Sequence, residues 1–150
     1  MKDASRQAEM KRLHGENGVE LLEFALVIPI FVFVLYGLIA FGLMLSAKQT
    51  ITNAASEGAR AAVGAVPQGD VAAETAAAKA RVAAAMDSLK GYDVNDPNQF
   101  KADPITCGSN QCHKVTVTYD YSAHPLVPPA PGLGLVTPDK LSSKAVVQVS

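Results

Sequence analysis

The chain opens on a polar stretch and then carries no charge from Ala25 to Ala47 (ALVIPIFVFVLYGLIAFGLMLSA), an apolar run of 23 residues. At a rise of about 1.5 Å per residue, such a run covers a hydrocarbon layer of roughly 30 Å, so it predicts a membrane-spanning helix. A secretory signal peptide is the rival reading. Its apolar core is only about 7 to 15 residues long and ends at a small-x-small site, of which Leu45-Ser46-Ala47 is a poor version. Beyond the run, Ile51, Ala54, Ala55, Gly58 and Ala62 recur at helical spacing with no proline before Pro67. That period predicts an amphipathic stem continuous with the span, about 65 Å of helix from Val19 to Val63.

Pro67-Gln68-Gly69-Asp70 reads as a turn, with Asp70 capping an alanine-rich helix that runs to about Lys90 and stops at Gly91. Val71, Thr75, Ala78, Val82, Ala85 and Leu89 form its apolar stripe. Residues 91–104, rich in Asp, Asn and Pro, read as a surface loop. Val115, Val117 and Tyr119 alternate with Thr116, Thr118 and Asp120, which predicts a strand with one buried face, and Ala145–Val149 reads as a second strand. Pro125, Pro128, Pro129, Pro131 and Pro138, with Gly132 and Gly134, make the connection between them irregular. The expected fold class is therefore α+β. It comprises a long N-terminal transmembrane helix with an amphipathic extension, a second Ala-rich helix and a small antiparallel sheet of two to three strands.

Within the span, Pro29 cannot donate to the carbonyl of Ala25, so a weakening or kink is expected there. Gly37 and Gly42 are small positions where another helix backbone can approach, although glycine is also simply common in membrane helices. Lys2, Arg6, Lys11 and Arg12 precede the span, against Lys48 and Arg60 in the first 20 residues after it, which predicts a cytoplasmic N-terminus. The rest of the chain then lies outside the cytoplasm, where Cys107 and Cys112 are expected to form a disulfide rather than a metal site. Two thiols need two further ligands, and His113 is the only adjacent candidate.

A formal net charge of -1 without a basic cluster argues against nucleic-acid binding. No phosphate-cradling glycine loop, His-Glu-x-x-His or nucleophile elbow is present, so no enzyme activity and no cofactor is expected. His14, His113 and His124 stand isolated and read as solvated, while Glu57 and Arg60, three apart, read as a surface ion pair.

Glu23 is the most informative single residue. It stands between Leu21-Leu22 and the apolar run, where an ionised carboxylate is costly unless paired or drawn to the interface. The plain alternative is that Glu20 and Glu23 open the helix, favoured by its dipole. The wider pattern is a short leader with Lys11 and Arg12, then Gly18, a carboxylate five positions on, Phe24 and a long apolar helix. This resembles a type IV prepilin cleavage site. The match runs on through Glu23-Phe24-Ala25-Leu26-Val27-Ile28-Pro29, Gly37, Phe41-Gly42, Gln49, Ala54-Ala55 and Glu57-Gly58-Ala59-Arg60, and over roughly residues 15–63 the chain resembles the TadE-like minor pilins or pseudopilins of the tight adherence (Tad/Flp) pilus system.

The resemblance implies cleavage between Gly18 and Val19 by a prepilin peptidase. Glu23 becomes the assembly acid, pairing with the new α-amino group of a neighbouring subunit. Phe24 stands where major pilins of these systems tend to carry tyrosine, which favours a minor component. The implied layout is a cytoplasmic leader at 1–18, helix and stem at 19–66 with the span at about 24–47, and an extracytoplasmic α+β module at 67–150. The implied partners are the peptidase, other minor and major pilins, inner-membrane platform proteins and a motor ATPase. The implied location is the inner membrane, single-pass, with the C-terminus periplasmic and incorporation into an extracellular pilus. The alternative is an uncleaved single-span envelope protein whose outer domain binds a ligand or a protein partner.

Overall fold

The computed structural model describes residues 2–67, 69–128 and 137–148, with side chains from Gly18 onward. The element order is α1 (Lys2–Val63), α2 (Val71–Met86), β1 (Phe100–Cys107), β2 (Asn110–Asp120) and β3 (Lys140–Gln148), and the three strands form one antiparallel sheet in the order β1-β2-β3. The α+β class expected from the sequence is the fold observed. The chain divides into two compact units, Met1–Ile39 and Ala40–Ser150.

In the first unit α1 runs unbroken through Pro29. From Val19 onward its large apolar side chains, including Phe24, Phe31, Phe33 and Leu38, are exposed. A helix this long and apolar that buries almost none of its surface is built for a solvent other than water.

In the second unit the C-terminal part of α1 supplies Ala47, Ile51, Ala54, Ala55, Ala59 and Ala62 to a core shared with α2 and the sheet, so the stem period predicts the buried face correctly. Small residues permit a close approach. A Cβ added to Gly58 would lie 2.6 Å from Val82 Cγ2 and 3.4 Å from both the Ala78 carbonyl oxygen and Val115 Cγ1. Asp70 caps α2 as expected, accepting from the backbone N–H groups of Ala72 (2.9 Å) and Ala73 (3.4 Å). The buried positions of α2 are Glu74, Ala78, Val82 and Met86, at intervals of four. This corrects the expected stripe, in which Val71, Thr75 and Ala85 stood instead of Glu74 and Met86. The helix also ends at Met86 rather than near Lys90.

The loop reading of residues 91–104 is corrected at its end, because Phe100 begins β1. Pro104 sits within this strand opposite His113, a placement open to proline because β1 is an edge strand. The alternation of β2 is as expected, with Val115, Val117 and Tyr119 buried and Lys114, Thr116 and Thr118 partly covered, but the strand starts five residues earlier, at Asn110. β3 likewise starts at Lys140, where Leu141 is buried between polar neighbours, and the expected end at Val149 lies outside the described residues. The Tyr119 hydroxyl stands 2.9 Å from the carbonyl oxygens of both Lys90 and His124 and donates to one at a time. Gly91, at φ 83°, is required beside this junction, since a Cβ there would collide with the His124 ring.

Candidate functional site

The residues singled out by sequence fall into two places. Gly18, Val19, Glu23 and Phe24 follow one another on α1, with Pro29 less than two turns beyond Phe24. Val19 and Glu23 are four apart and therefore share a helix face. Glu20, Glu23 and the large apolar residues around them are exposed, and nothing lies within 4 Å of a Cβ built on Gly18. Among the described residues Glu23 has no ion-pair partner. An unpaired carboxylate on an apolar helix face is stable only at an interface or opposite a cation supplied by another chain.

Cys107 and Cys112 lie in the second unit and are disulfide-bonded, with Cα atoms 5.9 Å apart. The bond staples the β1–β2 hairpin, in which Cys107 faces Asn110 and Cys112 faces Ile105. Among the described residues, no group of three or more His, Cys, Asp or Glu side chains is placed to hold a metal.

One side chain expected to be solvated, His113, is not, and it meets a buried Glu74 for which the sequence carries no expectation. His113 is fully buried on the inner face of β2, with Nδ1 3.4 Å from Glu74 Oε2, itself buried on α2. Glu74 Oε1 accepts from the Gly69 backbone N–H at 3.0 Å. The signal was present in both patterns. His113 is two residues ahead of Val115 in the strand alternation, and Glu74 is four residues ahead of Ala78 in the helix stripe. Glu57 pairs with Arg81 of α2 at 3.1 Å rather than with Arg60, so this ion pair joins two helices instead of two turns of one. His124 is exposed as expected, and His14 lies outside the residues whose side chains are described.

Three titrating groups at the β2 end of the module are displaced from their usual ranges. Burial pushes the Tyr92 hydroxyl up, aided by the charge of Asp93, and burial also raises Tyr119, aided by Tyr121 and Asp120. The Ser122 hydroxyl donates to Asp120 at 2.7 Å and the Ala123 N–H at 3.0 Å, and together they hold the Asp120 carboxyl below the ordinary carboxylate range.

A long, exposed, apolar N-terminal helix joined to a small disulfide-linked α+β module is the build of a single-span membrane protein. Residues 18–60 match the family described as TadE-like protein, so this segment of the chain is similar to that family. That family is of a structural, non-enzymatic kind. No curated protein and no solved structure matches the chain.

Proposed function

We propose that the chain is a minor pilin or pseudopilin of a Tad-type pilus, cleaved after Gly18 by a prepilin peptidase and needed for pilus biogenesis and adherence. The observation that carries this reading is that the TadE-like segment begins at Gly18, with Glu23 five positions further on an exposed apolar helix. The exposure of Gly18 and Val19 leaves the scissile bond open to a membrane peptidase. Cleavage converts the Val19 amide into a positive α-amino group, and Glu23 of a neighbouring subunit supplies the matching charge. At about 4 Å and an effective dielectric near 20, such a pair attracts by about 4 kcal/mol, which offsets much of the cost of drawing each charge out of water. The N-terminus faces the cytoplasm and the module the periplasm. The partners are other minor and major pilins, inner-membrane platform proteins and a motor ATPase.

The test is the mass of the mature N-terminus of protein purified from its native host. A chain that begins at Val19 is expected, and one that retains residues 1–18 overturns the cleavage. Replacing Glu23→Ala should abolish fibres while leaving processing and membrane insertion intact. A wild-type fibre count by electron microscopy would remove the pairing role.

A further inference from the structure

The sheet of the second unit has two free edges, one along β1 and one along β3. Which backbone groups face each edge follows from one bond. The Thr118 N–H donates to the Gln99 carbonyl oxygen at 2.7 Å, so Thr118 turns its backbone toward β1, and Ser142, opposite it on β3, turns its own backbone away from β2. The Lys48 ammonium, which donates to the Ser142 carbonyl oxygen from outside the sheet, agrees. At a period of two, Lys144 and Val146 also present N–H and C=O to the β3 edge. Ala102, Pro104 and Thr106 face the β1 edge, where Pro104 offers a carbonyl but no N–H. Among the described residues no hydrogen bond occupies these groups. Side chains alternate in step with them. Ala145 and Val147 pack on the core, so Lys144 and Val146 project from the solvent face of the sheet, and Phe100 and Ala102 pack on the core, so Asp103 and Ile105 project from that same face. Lys144, Val146 and Asp103 are exposed, and among the described residues neither Asp103 nor Lys144 has an ion-pair partner.

We propose that the β3 edge takes β1 of a second copy of the chain, extending the sheet head to tail. β1 and β3 run in the same direction, each antiparallel to β2, so a copy displaced sideways in the plane of the sheet brings its β1 parallel to β3. In a parallel ladder an edge-facing residue lies opposite one whose two neighbours point back at it. Lys144 then falls beside Asp103 of the second copy, and Val146 beside Ile105. The Lys144 N–H donates to Ala102, the Val146 N–H to Pro104, and the Thr106 N–H to Val146. Pro104 withholds only the bond that the Lys144 carbonyl would accept. Charge fixes both register and occupant. A slip of two residues sets Lys144 beside Lys101 or beside Ile105, and neither matches its charge. Pairing β3 with β3 would gather Lys140 and Lys144 of both copies at a seam to which this strand brings no acid. A contact between two different surfaces repeats instead of closing, so the assembly grows past a dimer. The proposal goes beyond the function above and needs neither cleavage after Gly18 nor a pilus machine.

The test uses the full-length chain in detergent, as an equal mixture of ordinary and heavy-isotope-labelled protein. A carbodiimide joins a carboxylate directly to an amine with loss of water. Mass spectrometry should find a linked peptide that holds Asp103 of one isotope and Lys144 of the other, and its absence at every protein concentration overturns the proposal. Sedimentation supplies the second reading. Lys144→Glu and Asp103→Lys each place like charges at the seam and should weaken association about tenfold, while the two together should restore it. Both positions are exposed, and the absence of free thiols checks that each variant has formed its disulfide. Single variants that associate as the unaltered chain does would place the contact elsewhere and overturn the proposal. Association that halts at a dimer would point to a symmetric seam and overturn it equally. A chain that stays monomeric would show that Pro104 closes the β1 edge to any strand, and the proposal falls.

Discussion

His113 Nδ1 lies 3.4 Å from Glu74 Oε2, which sets the first turn of α2 against the inner face of β2 in a place where neither side chain reaches water and the imidazole makes no hydrogen bond among the described residues. The carboxylate also accepts from Gly69, so it ties the turn before α2 to the sheet.

Removing one member of this pair should cost more than removing both. Glu74→Ala leaves the Gly69 N–H unpaired and a buried imidazole without its neighbour, and should destabilise the module by about 3 kcal/mol. Glu74→Gln retains an acceptor for Gly69 and should cost about 1 kcal/mol. Urea unfolding of the detergent-solubilised chain, with Glu74→Ala, His113→Ala and the double variant, completes a cycle. Strict additivity would mean that the two side chains are neighbours without coupling.

The same pair marks the limit of what the sequence discloses. The span, the stem, the Asp70 cap and the β2 alternation are legible because each is a local period or a local cap. Glu74 and His113 occupy inner positions of those very periods, yet the burial of an ionisable side chain is not legible from a local pattern until a partner on a distant element is known. β1 escapes notice for a related reason. Its Asp103 and Pro104 spoil a strand pattern, and only its place at the sheet edge, fixed by pairing with β2, makes them acceptable. At the N-terminal site, Gly18, Val19, Glu23 and Phe24 are contiguous enough to be read as a motif. The partner proposed for Glu23 is the α-amino group of another subunit, which one chain by itself does not display.

Gly58 should resist any side chain. Alanine gains about 1 kcal/mol of helix propensity, but its Cβ would press on the short, branched Val82, and overpacking of this kind costs about 1 to 3 kcal/mol. A net loss of about 1 kcal/mol is expected for Gly58→Ala and a larger one for Gly58→Val. Adding Val82→Ala to Gly58→Ala should cost less than the two single losses combined, read as thermal midpoints. An additive result would show that the contact is not what excludes the methyl group.

The Cys107–Cys112 bond closes a short loop in a hairpin whose register already aligns eight residue pairs. On the chain-entropy account, a loop this short contributes about 2 kcal/mol. Replacing both cysteines with serine should therefore lower the thermal midpoint without changing the strand content seen by circular dichroism. Loss of the sheet signal in the double variant would mean that the bond directs pairing rather than reinforcing it.

Acid and alkali should act on the module through different groups. The folded Asp120 carboxyl titrates below its unfolded range, so its contribution is complete above that range and is lost as the pH falls through the folded value. Ser122→Ala removes the leading cause of the shift and should move the Asp120 midpoint upward in a carboxyl NMR titration. Tyr92 and Tyr119 are raised, mainly by burial, so the unfolded chain releases their protons first as the pH climbs. Their contribution is complete below the unfolded tyrosine range and declines as the pH rises through it and toward the folded values. Absorbance near the tyrosinate band should show these two ionising late and together with unfolding, and Tyr92→Phe should shift the alkaline unfolding midpoint upward. If both ionise in the ordinary range while the fold persists, their hydroxyls are wet, and burial is not what holds the protons.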